Sequence, residues 1–212
     1  MSHEKMNRLR ARLGAVVDLH GAEALLGWDQ EVYMPPKGAA ARGQQLATVS
    51  ALAHREFTSA EMGDLLESLM DVAESLSDDE RKLVEETLYD YERATKLPES
   101  FVHRFAEETS KAYEVWVAAR KESDFAQFQP SLETLLDLLK QKADLMGYEG
   151  SPYNALLEEF ERGMTTEALK VIFGELAEKQ GRLIERIVSA PKQPDLTWLE
   201  GQWDVDRQWA FT

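Results

Sequence analysis

Leu132-Glu133-Thr134-Leu135-Leu136-Asp137-Leu138-Leu139 sets leucines at 132, 135, 136 and 139, the i, i+3, i+4, i+7 spacing that lines one face of an α-helix. The same period runs outward in both directions. From about His3 to Val32 it passes through Leu9, Leu13, Val16, Val17, His20 and Ala24, on or near one stripe. Ala39 to about His54 resumes it through Leu46, Val49, Ser50 and Ala53, whose small members let another helix approach closely. Towards the other end, Thr165 or Thr166 caps a long helix through Leu169, Ile172, Phe173, Leu176, Leu183, Ile187 and Val188, which Pro191 and Pro194 terminate.

The breaks between these runs are chemical. Met34-Pro35-Pro36-Lys37-Gly38 removes two backbone donors and stops the first helix. Thr58-Ser59-Ala60-Glu61 and Ser77-Asp78-Asp79-Glu80 both have capping-box spacing and mark two further helix starts. Leu97-Pro98-Glu99 opens another, running to about Lys121. The leucine helix follows Ser123-Asp124-Phe125 and ends near Gly147, and residues 148–163 form a turn-rich connection around a short apolar core. No segment reads as a strand. The expected architecture is all-α, around seven helices in antiparallel hairpins, with residues 1–212 forming one helical domain or subdomain.

Composition narrows the partners. Of 212 residues, 43% are hydrophobic, enough to fill a continuous core. The 39 acidic against 24 basic side chains give a formal net charge of -15, a field that repels phosphate backbones and anionic headgroups, so neither nucleic acid nor membrane is an expected partner. With no cysteine there is no disulfide framework and no thiolate metal site. No apolar stretch approaches the roughly 20 residues of a membrane span, and the leading residues carry Arg8, Arg10 and Arg12 without a signal peptide's apolar core. The expected location is cytoplasmic.

A helical zinc hydrolase needs two imidazoles four residues apart with a glutamate beside them. Four positions after His3, His20, His54 and His103 stand Asn7, Ala24, Thr58 and Glu107. A di-iron bundle needs Glu-x-x-His, but Val17, Ala51 and Ser100 precede the last three histidines at that spacing. His103 has Glu99 and Glu107 one turn away on either side, an arrangement read as surface ion pairing. Neither a Gly-x-Ser-x-Gly elbow in its strand-turn-helix context nor a phosphate-cradling glycine loop occurs. Carboxylate pairs such as Glu158 and Glu159 read as solvated charge.

Two segments stand out. In Leu25-Leu26-Gly27-Trp28-Asp29-Gln30-Glu31-Val32-Tyr33-Met34-Pro35, the residue-level expectation is that Trp28 fills core while Asp29 and Gln30 tie the turn through backbone hydrogen bonds. In Ser151-Pro152-Tyr153-Asn154-Ala155-Leu156-Leu157-Glu158-Glu159-Phe160-Glu161-Arg162-Gly163-Met164-Thr165 it is a short packed helix inside a connection.

Together these segments resemble the thermostable metallocarboxypeptidases represented by the Taq and Pfu enzymes, peptidase family M32. Leu26-Gly27-Trp28-Asp29-Gln30 with Met34-Pro35 resembles the first motif, followed by Arg42, Gln45, Leu52 and His54 in a second helix. Leu97-Pro98, Trp116, Ala119-Arg120, Asp124-Phe125, Phe128 and Pro130 resemble the middle of the helical region. Pro152-Tyr153, Ala155-Leu156-Leu157 and Gly163-Met164-Thr165 resemble the segment after it. The resemblance covers essentially this whole chain but only about the first half of a family member.

It implies an all-α, gluzincin-like saddle with a deep groove, in which these helices form one wall or lid. It also implies a zinc (or cobalt) hydrolase that removes the last amino acid of peptide substrates with a metal-activated water and a glutamate base. The family's His-Glu-x-x-His helix and later glutamate lie in the other half, and no residue here matches them. No catalytic, cofactor or metal role is carried over, and the motif residues Trp28, Asp29, Gln30, Met34, Pro35, Tyr153, Gly163 and Met164 are expected to be structural. Trp203-Asp204-Val205-Asp206-Arg207-Gln208-Trp209-Ala210-Phe211-Thr212 is a new amphipathic pattern that leaves aromatic surface uncovered, so a chain cut before the zinc-binding half and inactive alone is expected. At least partial homodimerisation is expected too, as is common in the family. The alternative is a stand-alone acidic helical module that binds a protein partner without catalysis.

Overall fold

The computed structural model describes residues 2–211, apart from the side chain of Pro36; Met1 and Thr212, the outermost residues of the leading and aromatic terminal patterns, lie outside the described residues. Among the described residues there are nine α-helices and no strand. None of the helices is long and apolar enough to cross a membrane. The chain divides into two compact units, one through Arg162 and the other from Gly163.

The first unit holds seven helices: α1 (Ser2–Val32), α2 (Ala39–Phe57), α3 (Ala60–Met70), α4 (Asp78–Ala94), α5 (Glu99–Glu122), α6 (Phe125–Met146) and α7 (Tyr153–Leu157). The proline stop after α1 holds, with Pro36–Gly38 forming a single 3-10 turn before α2. At α4 both halves of the capping box form: the Glu80 amide donates to Ser77 Oγ at 3.3 Å, and the Ser77 amide donates to Glu80 Oε2 at 3.4 Å. Ser77→Ala is expected to cost about 1 kcal/mol, checked as a lowered urea midpoint with unchanged slope.

The other expected box does not form. Thr58 closes α2 by donating its hydroxyl to the His54 carbonyl, and Ser59 is the cap of α3, accepting from the Met62 amide. Glu61 is drawn away by Arg8 and Arg12 of α1, whose hydrogen bonds hold its carboxyl below the usual range. Two guanidinium partners outweigh a single backbone amide.

Met6, Leu9, Met62, Leu66, Leu69 and Val84 form the fully buried centre of α1, α3 and α4. Gly63 allows α3 to approach α4 closely, since a Cβ there would meet the Tyr91 hydroxyl at 2.6 Å. On α2, Gly43, Ala47, Ser50, Ala51 and Ala53 are buried, so the small-residue face lets α1 and α5 close on it; a Cβ at Gly43 would lie 3.6 Å from Ser110 Oγ. Ala143 and Met146 of α6 pack on Ala155 of α7, which is the short helix expected inside the connection.

Two apolar faces are rotated from the expected ones. On α6 Leu138 is fully buried and Leu136 is 46% exposed, with Leu132, Leu135 and Leu139 half-buried at the margins. On α1 Leu9 and Val16 are buried, but Val17, His20 and Ala24 face outward, while Leu19, Glu23, Leu26 and Gln30 turn inward. With leucines at five of eight positions, or a helix longer than the apolar core beneath it, periodicity leaves neighbouring faces nearly equivalent. Packing then selects one.

In the second unit Thr165 caps α8 (Thr166–Val188), accepting from the Ala168 amide at 3.2 Å. Beyond it Gln193 Nε2 donates to the carbonyls of Ile187, Val188 and Ala190, supplying partners that a helix end otherwise lacks. A 3-10 turn (Thr197–Leu199) precedes α9 (Val205–Phe211). The seven helices of the sequence pattern are α1 to α6 and α8; α7 is the short helix of the connection, and α9 falls within the terminal amphipathic pattern.

Candidate functional site

The carboxy-terminal turn of α1 contains no basic residue, yet a helix end favours positive charge beside its last carbonyls. Arg42, in the first turns of α2, brings a positive charge onto the last two turns of α1 from across the proline stop. Its guanidinium donates to the Leu26 carbonyl and, through Nη2, to the Asp29 carboxylate at 2.6 Å. The Arg42 side chain is only 13% exposed. The turn itself is closed by the Asp29 backbone carbonyl, which accepts from the amides of Tyr33 (3.0 Å) and Met34 (2.8 Å).

Gln30 faces the other neighbour. Its Nε2 donates to the Ser110 carbonyl at 3.3 Å and to Glu114 Oε1 at 3.2 Å, and its Oε1 accepts from the Ser110 hydroxyl at 3.1 Å. The side chains of Asp29 and Gln30 therefore join α1 to α2 and α5 and do not tie the turn. Trp28 is likewise not core: it is 52% exposed, its ring edge-to-face with Tyr33 at 5.3 Å. Met34 lies under Gly38, where a Cβ would be 3.0 Å from Met34 Cγ, and Pro35 is extended ahead of the 3-10 turn.

Between α1, α2 and α5 opens a cleft of about 430 Å³. Its walls include Leu46, Leu97, Phe101, Val102 and Phe105, with Gly27 leaving the α1 side open. Glu23 accepts a hydrogen bond from the Ser50 hydroxyl in this lining, and Glu31 adds a second carboxylate. Lys142 of α6 also lines the cleft, paired with Glu159 at 2.6 Å and 5.5 Å above the Phe105 ring. Burial, reinforced by Glu31 and Glu114, raises the Tyr113 phenol above its ordinary pKa, so it stays neutral and able to donate. Chemically the cleft offers apolar contact and a few hydrogen-bonding groups.

His54 serves packing, while His3 and His20 are exposed. His54 Nε2–H donates to the Leu97 carbonyl at 2.7 Å, which pins α2 to the start of α5. Around His103, Glu99 pairs with Arg55 at 3.6 Å, and Glu107 pairs with Lys111 at 2.8 Å and accepts from Gln44 at 2.6 Å. The Lys111 hydrogen bond holds the Glu107 carboxyl below its usual range. Among the described residues no group of three or more His, Asp or Glu could hold a metal ion, so these residues do not fit a resident zinc.

Tyr153 opens α7 and is exposed. Gly163 adopts φ +79°, a left-handed backbone natural to glycine, and Met164 after it is half-buried. Glu158 and Glu159 are paired as well as solvent-facing: Glu158, half-buried, accepts from the Tyr89 hydroxyl, and the exposed Glu159 holds Lys142. Arg162 stacks over the Tyr89 ring at 3.5 Å and pairs with Glu86 at 2.9 Å.

The family model for carboxypeptidase Taq (M32) metallopeptidases matches residues 8–212. Thermostable carboxypeptidase 1 of Pyrococcus furiosus is 30% identical over 207 residues, which cover 98% of this chain and 41% of that protein. Carboxypeptidase 1 of Bacillus subtilis is 32% identical over 187 residues, covering 88% and 37% respectively. Among solved structures, BsuCP has a TM-score of 0.94 at 29% identity, covering 99% of this chain and 42% of that one, and the Pyrococcus furiosus carboxypeptidase has 0.73 at 28%, covering 98% and 41%. The chain spans about two fifths of the length of the relatives it matches.

Proposed function

The chain belongs to the carboxypeptidase Taq (M32) metallopeptidase family, and we propose that it is the amino-terminal part of a zinc-dependent carboxypeptidase, walling the groove that holds the peptide while supplying none of the catalytic groups. The observation that carries this reading is a match running through nearly all of the chain yet only two fifths of its relatives, together with described residues that do not fit a metal. A metal of this class, zinc or cobalt, supplies a more acidic bound water. The residues described here take no part in that step.

Their contribution is shape and exclusion. The Arg42–Asp29 pair and the Gln30–Ser110 bonds hold α1 against α2 and α5, and the largely apolar cleft among these helices would exclude water once it is covered. Peptide substrates, a homodimer and a cytoplasmic setting belong to the same proposal. The purified 212-residue chain, given zinc or cobalt, is expected to release no C-terminal amino acid from peptides, as read by mass spectrometry. Reproducible release that a chelator abolishes would overturn the proposal.

A further inference from the structure

The cleft among α1, α2 and α5 combines open space with charge that nothing offsets. Gly27 stands in its α1 wall, and a Cβ there would meet no neighbouring atom within 4 Å. One helical turn before that gap stands Glu23 and one turn after it Glu31, and both carboxylates line the cleft. Glu23 is met by the Ser50 hydroxyl, a neutral donor. Neither carboxylate has a cationic partner among the described residues, because the cations nearby are engaged elsewhere, Lys142 with Glu159 and Arg42 with Asp29. On the α5 wall Phe101 and Phe105 lie with ring centroids 5.9 Å apart. Aromatic faces attract cations, and the Lys142 ammonium already sits 5.5 Å from the Phe105 centroid.

We propose that this cleft is a binding site for a linear alkyl diamine, a small molecule of the polyamine class, with its methylene chain on Phe101 and Phe105 and one ammonium on each of Glu23 and Glu31. Length selects a two-headed ligand. Glu31 follows Glu23 by eight residues of one helix, about 12 Å along the axis, and an extended eight-carbon chain sets its terminal nitrogens about that far apart. Charge selects the sign, since the two carboxylates and the net charge of -15 draw cations in and repel fatty acids. The volume of about 430 Å³ has room for such a ligand. The site is read from the cleft by itself and does not depend on the carboxypeptidase reading.

Titration calorimetry on the purified 212-residue chain tests it, with equilibrium dialysis as a second reading of binding. Terminal diaminooctane is expected to bind once per chain and about tenfold more tightly than octylamine or diaminobutane, each of which loses one charged contact. Octanoate is expected not to bind. Glu31→Gln, at an exposed side chain, is expected to erase the advantage of diaminooctane over octylamine. Gly27→Leu puts a side chain into the open space and is expected to abolish binding without lowering Tm, since leucine is also the better helix former.

Equal affinity for diaminooctane and octylamine overturns the proposal, as does binding of octanoate alongside the amines or binding that survives Gly27→Leu. So does the absence of amine binding by both methods. If no amine binds and Gly27→Leu shifts the balance of monomer and dimer in light scattering, the occupant is a second copy of the chain. Displacement of diaminooctane by an equal concentration of a peptide with one free lysine side chain would assign the cleft to a peptide instead.

Discussion

Leu66→Ala is expected to lower stability by about 3 to 4 kcal/mol, within the range for deleting three carbons from a site that cannot collapse. Leu66 is fully buried on α3, surrounded by Met6 and Leu9 of α1, Met62 and Leu69 of its own helix and Val84 of α4. Three helices meet there, so none can move inward without leaving the other two. The measurement is a denaturant midpoint with a constant slope, accompanied by a fall in Tm of roughly 6–16 °C for a chain of this size. Leu136→Ala on α6 is the control, since that residue is 46% exposed. Similar losses at the two sites would mean that the centre of α1, α3 and α4 is not where the structure places it.

Arg42→Ala is expected to cost about 2 to 3 kcal/mol, because it leaves the Asp29 carboxylate and the Leu26 carbonyl without their charged donor beside a helix end. Asp29 is partly exposed, so water recovers some of the loss and the value stays below that of a fully buried pair. Arg42→Lys is expected to recover only a fraction, since a single ammonium cannot serve both oxygens in the planar fork that the guanidinium presents. A double-mutant cycle with Asp29→Ala should give a coupling of about 1 kcal/mol or more. Additive losses would mean that the pair is a surface contact and does not hold α1 against α2.

Much of this architecture was legible along the chain because its signals are local. Pro35 and Pro36 stop α1 by removing donors, Ser77 and Glu80 cap each other three residues apart, and Asp124 and Thr165 begin α6 and α8 with side-chain caps. The first motif was recognisable as a unit, yet its chemistry was not. Asp29 finds Arg42 thirteen residues on, while Gln30 finds Ser110 eighty residues on. No spacing rule links such positions. Trp28 was misplaced in the core for a related reason: an aromatic on an amphipathic helix favours burial on average, but here it is half exposed and packs edge-to-face on Tyr33.

The sequence by itself determined the helical class, most helix ends, the acidic field and the absence of a histidine pair, because each depends on residue type or on neighbours within one or two turns. Tertiary structure alone decided which face of α1 and α6 turns inward, which carboxylates are paired, and where the cleft opens. Those outcomes depend on how helices distant in sequence fit one another. Close packing chooses between registers that periodicity leaves nearly equal in energy.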